Sequence, residues 1–261
     1  MIVNNFRKYG LPPYNIVVVH GGPGASGEMA PVAREMHSSY GVLEPLQTEI
    51  TVDDQVEELK TTIQDCADPP VTLIGFSWGA WLSFILTAEY PELVKKLILV
   101  SSGPFEDEYL SEFEKTRLDR LTGPKRKELI SIFDKLNNIS ESDKPDTIKR
   151  LGELIIKTDS FDHLPDDSYT VDFQLEIFNS VWPEAAKLRK SGELLKLANK
   201  IKCPVVAIHG DYDPHPADGV EKPLLNIIDD FKFILLEKCG HKPWEERHAR
   251  EKFYEVLKSE L

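Results

Sequence analysis

Val71-Thr72-Leu73-Ile74-Gly75-Phe76-Ser77-Trp78-Gly79-Ala80-Trp81-Leu82 decides how this chain is read. It is a short, apolar, β-branched run that enters Gly-x-Ser-x-Gly and passes at once into an apolar helix through Phe84, Ile85, Leu86 and Ala88, ending before Pro91. A serine on so sharp a strand-to-helix turn has strained backbone angles, and its neighbours must be nearly free of side chain. Gly75 and Gly79, two residues either side of Ser77, meet that need. The turn lifts the Ser77 hydroxyl above the sheet edge. It also sets the Trp78 amide at a helix start, where free N–H groups and the dipole favour a developing negative charge. A glycine-rich turn without chemistry is the plain alternative; the flanking strand and helix favour the nucleophile.

At 261 residues the chain fits one large α/β domain, or one domain with an insertion. Hydrophobic residues make up 41%, ample for a packed core. A formal net charge of −13 and a pI near 5.1 argue against nucleic acid and anionic membrane surfaces as partners. Cys66, Cys203 and Cys239 are isolated in sequence and read as reduced thiols. The N-terminus has no apolar signal core and no run approaches membrane-spanning length, so the cytoplasm is the expected location.

Upstream of the elbow, residues 2–6 read as one short edge strand. Ile16-Val17-Val18-Val19 reads as a buried strand ending in His20-Gly21-Gly22-Pro23-Gly24, with a helix over about 28–36. Gly41-Val42-Leu43 is a short strand, and residues 52–66 carry Val56, Leu59 and Ile63 at helical spacing behind an acidic first turn. Downstream, residues 97–100 form another strand, closing in Ser101-Ser102-Gly103-Pro104. This alternation predicts an α/β fold, a mostly parallel central sheet with helices on both faces. At Phe105 the character changes: to about residue 200 the chain is charged, with narrow apolar stripes divided by polar breaks at 137–145 and 159–168. The reading is a helical cap, inserted after the fourth core strand following the elbow region and packed over the sheet. Residues 1–104 and 202–261 then form the core and 105–201 the cap. The pattern resumes with Val205-Val206-Ala207-Ile208, a strand over 231–236, and a terminal helix beginning near Pro243.

A parallel sheet gathers its ligands at the carboxyl ends of its strands, and Ser77, Asp213 and His241 each fall just after one. A serine hydroxyl needs an imidazole to accept its proton, and the imidazole needs a carboxylate to fix its tautomer. Asp213 is preferred as the acid over its rival Asp211, which could cap the loop; His215 reads as a solvated loop histidine. Gly22 N–H would join Trp78 N–H in an oxyanion hole, with His20 bonding loop backbone. Activity should fall on acidification as His241 protonates, near about 6.5 or below. Two competitors are weaker. Gly22-Pro23-Gly24-Ala25-Ser26-Gly27 matches a dinucleotide-binding loop, with Glu44 at the expected distance, but Pro23 lacks an N–H a pyrophosphate would want. His209, Asp211, Asp213 and His215 alternate like metal ligands, but Gly210 and Pro214 break the extended geometry, so no metal is expected.

His-Gly-Gly-Pro-Gly at 20–24, Gly-Phe-Ser-Trp-Gly at 75–79, Gly-Asp-Tyr-Asp at 210–213 and Gly-His at 240–241 resemble the α/β-hydrolase superfamily, and within it the proline iminopeptidase-like branch. The resemblance covers about 1–104 and 202–261; the cap matches in position and helicity only. It implies Ser77 as nucleophile, Asp213 as acid, His241 as base, Gly22 and Trp78 as oxyanion donors, a cis peptide before Pro23, and no cofactor. The expected activity is that of a serine hydrolase working through an acyl-enzyme on a small molecule or short peptide, most like an aminopeptidase. A carboxylesterase for small or medium acyl groups is the first alternative, and a non-catalytic ligand receptor on the same shell the second. Two departures from the branch stand out: a short N-terminal region, and no motif for the acids that would hold a substrate amine. Asp172, Glu176 and Glu184, near Phe178 and Trp182, are the candidates for that role.

Overall fold

The computed structural model describes residues 5–135, 144–166 and 168–261. Alternate residues of its buried runs face opposite sides of one sheet. Val17, Val19, Leu73, Leu97, Leu99, Val205 and Ala207 enter one core cluster. Ile16, Val18, Ile74, Ile98, Val100, Val206 and Ile208 enter the other. A period of two with both phases apolar is the mark of strands covered on both faces. The strands are β1 (Phe6–Tyr9), β2 (Tyr14–Val19), β3 (Ala25–Ser26), β4 (Gly41–Pro45), β5 (Val71–Phe76), β6 (Val94–Val100), β7 (Asp172–Phe173), β8 (Val205–Gly210) and β9 (Phe231–Leu236). Seven form the sheet, in the order β1-β4-β2-β5-β6-β8-β9, parallel throughout except for β1 against β4. The elbow strand β5 therefore sits at the centre. β1 lies at 6–9 rather than the expected 2–6, of which residues 2–4 fall outside the described residues. Its Arg7 and Lys8 are exposed, as an edge strand permits, and charge there hides the strand from a search for apolar runs.

Helices α1 (Ala30–Met36) and α10 (Arg250–Ser259) cover one face, through Met36, Phe253 and Leu257. On the other lie α2 (Val52–Cys66), α3 (Trp78–Glu89) and α9 (Asp218–Leu225). The Thr51 side chain accepts the Asp54 N–H at 3.1 Å, and Asp53 and Asp54 complement the dipole, so α2 starts where its sequence says. α3 is buried from Trp78 through Ala88, which is why it is apolar on all sides. The terminal helix begins at Arg250, not near Pro243, where there is a single 3-10 turn. The cause is Glu246, extended at φ −104° and ψ 119°, whose segment pairs with residues 162–164. Leu164 N–H donates to the Glu245 carbonyl at 2.7 Å and Arg247 N–H to the Asp162 carbonyl at 3.0 Å.

Between β6 and β8 come α4 (Leu110–Asp119), α5 (Gly123–Lys135), α6 (Lys144–Asp159), α7 (Leu175–Lys190) and α8 (Glu193–Lys196). This insertion leaves from β6, the first sheet strand after the elbow; among the described residues only β6, β8 and β9 of the seven-stranded sheet follow β5, so no fourth sheet strand after the elbow precedes the insertion. The polar break at 137–145 falls largely outside the described residues. The insertion has two parts. Leu121, Leu129 and Leu154 form a small cluster of their own under α4–α6, whereas Ile177, Val181, Ala185 and Leu194 of α7 and α8 join the main core. β7 pairs antiparallel with β3, Ala25 opposite Phe173, a two-residue ribbon too short to leave a sequence pattern. No helix among the described residues is long and apolar enough to cross a membrane.

Candidate active site

Ser77 follows β5 at φ 52° and ψ −115°, its N–H held by the Val100 carbonyl at 3.0 Å. A Cβ on Gly75 would overlap the Gly79 carbonyl and stand 2.6 Å from Ser83 Oγ; one on Gly79 would overlap the carbonyls of Val19 and His20. Both glycines are thus demanded by close backbone approach, and the strain is carried at the serine.

The loops after β8 and β9 bring the other two groups to it. His241 Nε2 lies 3.1 Å from Ser77 Oγ, and His241 Nδ1 lies 2.7 Å from Asp213 Oδ2. A carboxylate only accepts, so Nδ1 carries the proton and Nε2 faces the hydroxyl as an acceptor. Burial pushes the Asp213 carboxyl up, but the imidazoles of His241, His215 and His209 outweigh it and hold it well below the usual carboxylate range. Burial likewise opposes the His241 imidazolium, yet Asp213 outweighs it and raises His241 above its ordinary 6.5. That reverses the expectation of 6.5 or below: an anion in direct contact exceeds the desolvation cost. Asp211 accepts the Cys239 N–H at 3.1 Å and so braces the histidine loop. His215 is not a solvated loop residue; its Nδ1 lies 2.9 Å from Asp213 Oδ1 and its ring stacks on Phe113. Among the described residues, Asp213, His215 and His241 place ligand-type atoms within 4.8 Å of one another. Both histidines are hydrogen-bonded to the carboxylate, which accounts for that proximity.

Trp78 heads α3, where a main-chain N–H has no partner within the helix. Its indole donates to Gln47 and Gln55, each at 3.1 Å, which fixes the residue. The Gly22 N–H makes no main-chain hydrogen bond among the described residues. Gln47 N–H donates to His20 Nε2 at 3.1 Å, so Nδ1 is the protonated nitrogen, 2.9 Å from the Gly21 carbonyl. The Gly22–Pro23 bond is trans, contrary to expectation; the cis bonds among the described residues are Pro12–Pro13 and Pro69–Pro70, and Gly22 turns the chain at φ 29°. The loop runs into β3 rather than opening a helix, and Glu44 is buried, accepting the Tyr9 hydroxyl at 2.6 Å. Neither feature suits a dinucleotide.

From the elbow helix a series of aromatic rings runs into the insertion. Trp81 and Trp182 are parallel within 1° at 6.0 Å, Trp182 and Phe178 within 9° at 6.0 Å, and Phe178 meets Phe173 at 5.6 Å. Phe173, unmarked in the sequence, would stand 3.9 Å from a Cβ on Gly22. Glu176 is exposed and lines a cavity of about 670 Å³ with Ile50, Ile148, Phe173 and Ile177. Glu184 is committed elsewhere: its carboxylate accepts the Val52 N–H at 2.8 Å, where a helix start favours an anion.

Sequence reasoning also missed Glu246. Fully buried, it accepts Phe161 N–H at 2.9 Å, Gly240 N–H at 3.0 Å and Asp162 N–H at 2.8 Å. The His241 N–H donates to the Asp159 carbonyl at 2.7 Å. The insertion therefore holds the histidine loop directly, and no motif marks either contact.

Against known proteins, a family model described as alpha/beta hydrolase fold matches residues 14–244. No curated protein matches the sequence. Among solved structures, VinJ is 18% identical with a TM-score of 0.71, covering 98% of this chain and 95% of its own. Est816, an N-acyl homoserine lactone degrading enzyme, is 14% identical with a TM-score of 0.65, covering 98% and 96%. E-2-(acetamidomethylene)succinate hydrolase is 16% identical with a TM-score of 0.64, covering 98% and 93%. At these identities the likeness is one of fold.

Proposed function

Because the chain belongs to the alpha/beta hydrolase fold family, we propose that it is a serine hydrolase cleaving a carboxylic ester or amide through an acyl-enzyme on Ser77. One observation carries the reading: His241 stands between Ser77 and Asp213, 3.1 Å from one and 2.7 Å from the other. Ser77 Oγ attacks the carbonyl carbon while its proton passes to His241 Nε2. The oxyanion takes the N–H groups of Gly22 and Trp78, loss of one such donor costing roughly 100- to 1000-fold in rate. His241 then protonates the leaving group, and water, deprotonated by the same nitrogen, releases the acid. Residues 105–201 act as the cap on a core of 1–104 and 202–261, shaping an apolar pocket with Phe178 and Trp182 and excluding water.

On substrate class, the ester is the better supported. Glu184 is bound to α2 and cannot meet a substrate amine, and the aromatic series offers apolar wall. The aminopeptidase reading keeps one argument, the exposed Glu176 on a cavity beside Phe173. Aryl esters of graded chain length, assayed beside prolyl- and alanyl-arylamides, should give kcat/KM at least about tenfold higher for the esters. The reverse order would favour the aminopeptidase. Fluorophosphonate should label the wild type and not Ser77→Ala; failure to label the wild type would favour a receptor on a hydrolase shell.

A further inference from the structure

Two histidines meet the Asp213 carboxylate, one on each oxygen. His241 Nδ1 takes Oδ2 at 2.7 Å; on Oδ1 the main-chain N–H and the Nδ1 of His215 both converge at 2.9 Å. Because Oδ1 can only accept, neutral His215 carries its proton on Nδ1. Its ring stacks on Phe113 of α4, with centroids 4.3 Å apart, and lies 4.6 Å from the His241 ring. Its carbonyl is held by His209 Nε2 at 2.9 Å, so the loop cannot swing away without breaking a second buried contact. A serine hydrolase needs one histidine on its acid. The second is unexplained by the steps above.

We propose that His215 is a positioning residue for the acid: its Nδ1–H fixes the plane of the Asp213 carboxylate and draws part of its charge away from His241, setting how basic His241 is. The inference rests on the reading of Ser77, His241 and Asp213 as the catalytic set. A hydrogen bond to an anion stabilises the anion, and a carboxylate shared between two donors pulls less strongly on each. Burial, aided by two of the groups that face it, keeps His215 in the donating, neutral form. Asp213 lies on its own loop, His241 on the loop after β9, His209 at the end of β8, and Arg117, paired with Asp159, on α4. Burial lowers His215 to about 4 against the pull of Asp213, with His241 and Arg117 adding to the lowering. His215 therefore stays a neutral donor across the range in which His241 titrates.

Two substitutions separate the donor from the ring. His215→Phe keeps the stack on Phe113 and deletes Nδ1–H; His215→Asn keeps a donor near the Nδ1 position and deletes the ring. With Asp213 no longer shared, the Phe variant should move the acid limb of kcat/KM upward by about half to one pH unit and lower kcat about tenfold. The Asn variant should restore most of both. An acid limb in the Phe variant within about 0.2 unit of the wild type, or an Asn variant no better than Phe, would overturn the proposal. Nitrogen-15 NMR of the wild-type histidines tests it without substitution: His215 should show the Nδ1–H tautomer and stay neutral while His241 titrates. The Nε2–H tautomer at His215 would refute it. Absent fluorophosphonate labelling of wild-type Ser77 would instead remove the catalytic reading itself; labelling with an unmoved limb removes only the role of His215.

Discussion

At Ser77 the proposed nucleophile and the backbone strain coincide, and what remains adjustable is the proposed base, His241. His241 is raised above 6.5 because Asp213 outweighs its burial, so its neutral form is the minority species at lower pH than that raised value. A protonated imidazole cannot accept the Ser77 proton, hence kcat/KM should fall as pH drops through a value above 6.5 rather than below it. A pH–rate profile on a neutral aryl ester checks this, and an acid limb at 6 or lower would contradict the direction. The convergence of Ser77, Asp213 and His241 was legible in the sequence because each falls in the loop just after a strand of the parallel sheet, and their residue types have few other uses in that order. His215 was not. Asp-Pro-His in a loop looks solvated until Phe113, about a hundred residues away, is seen to cover it.

Elements were legible where burial is two-sided and obscure where a single contact decides. β5 and β6 announce themselves; β1, β7 and the start of α10 do not, because charged edges, two-residue ribbons and one buried glutamate leave no periodicity. Glu246 shows the scale of such a contact. Its two oxygens satisfy three N–H groups, two from the insertion and one beside His241; burial still outweighs these bonds and raises the carboxyl above its ordinary value. Gln at this position has one acceptor oxygen and turns its NH2 toward donors. Glu246→Gln should therefore cost about 2–3 kcal/mol in urea unfolding and lower kcat by loosening Gly240 and His241. Stability and rate equal to the wild type would show that the carboxylate does not hold the two segments together.

Across the whole molecule the insertion, which the sequence offered as one cap, is energetically two bodies. α7 places Leu175, Ile177, Val181 and Ala185 in buried positions, three of them continuous with the main core, so it can open only with that core. α5 rests on the small cluster of Leu121, Leu129 and Leu154, while Ile130 and Phe133 remain 43% and 42% exposed. Three buried leucines contribute about 2 kcal/mol each, far less than the main core supplies. α4 and the end of α6 are better held, through Arg117 on Asp159 and the His241 N–H on the Asp159 carbonyl, so opening should be confined to α5 and the start of α6. Native-state hydrogen exchange should then show α5 amides opening at a free energy several kcal/mol below those of α7. The contacts of His241 would survive that opening, because the ties that hold them lie at the far end of α6. Equal protection of α5 and α7 would mean that the insertion folds and opens with the sheet as one unit.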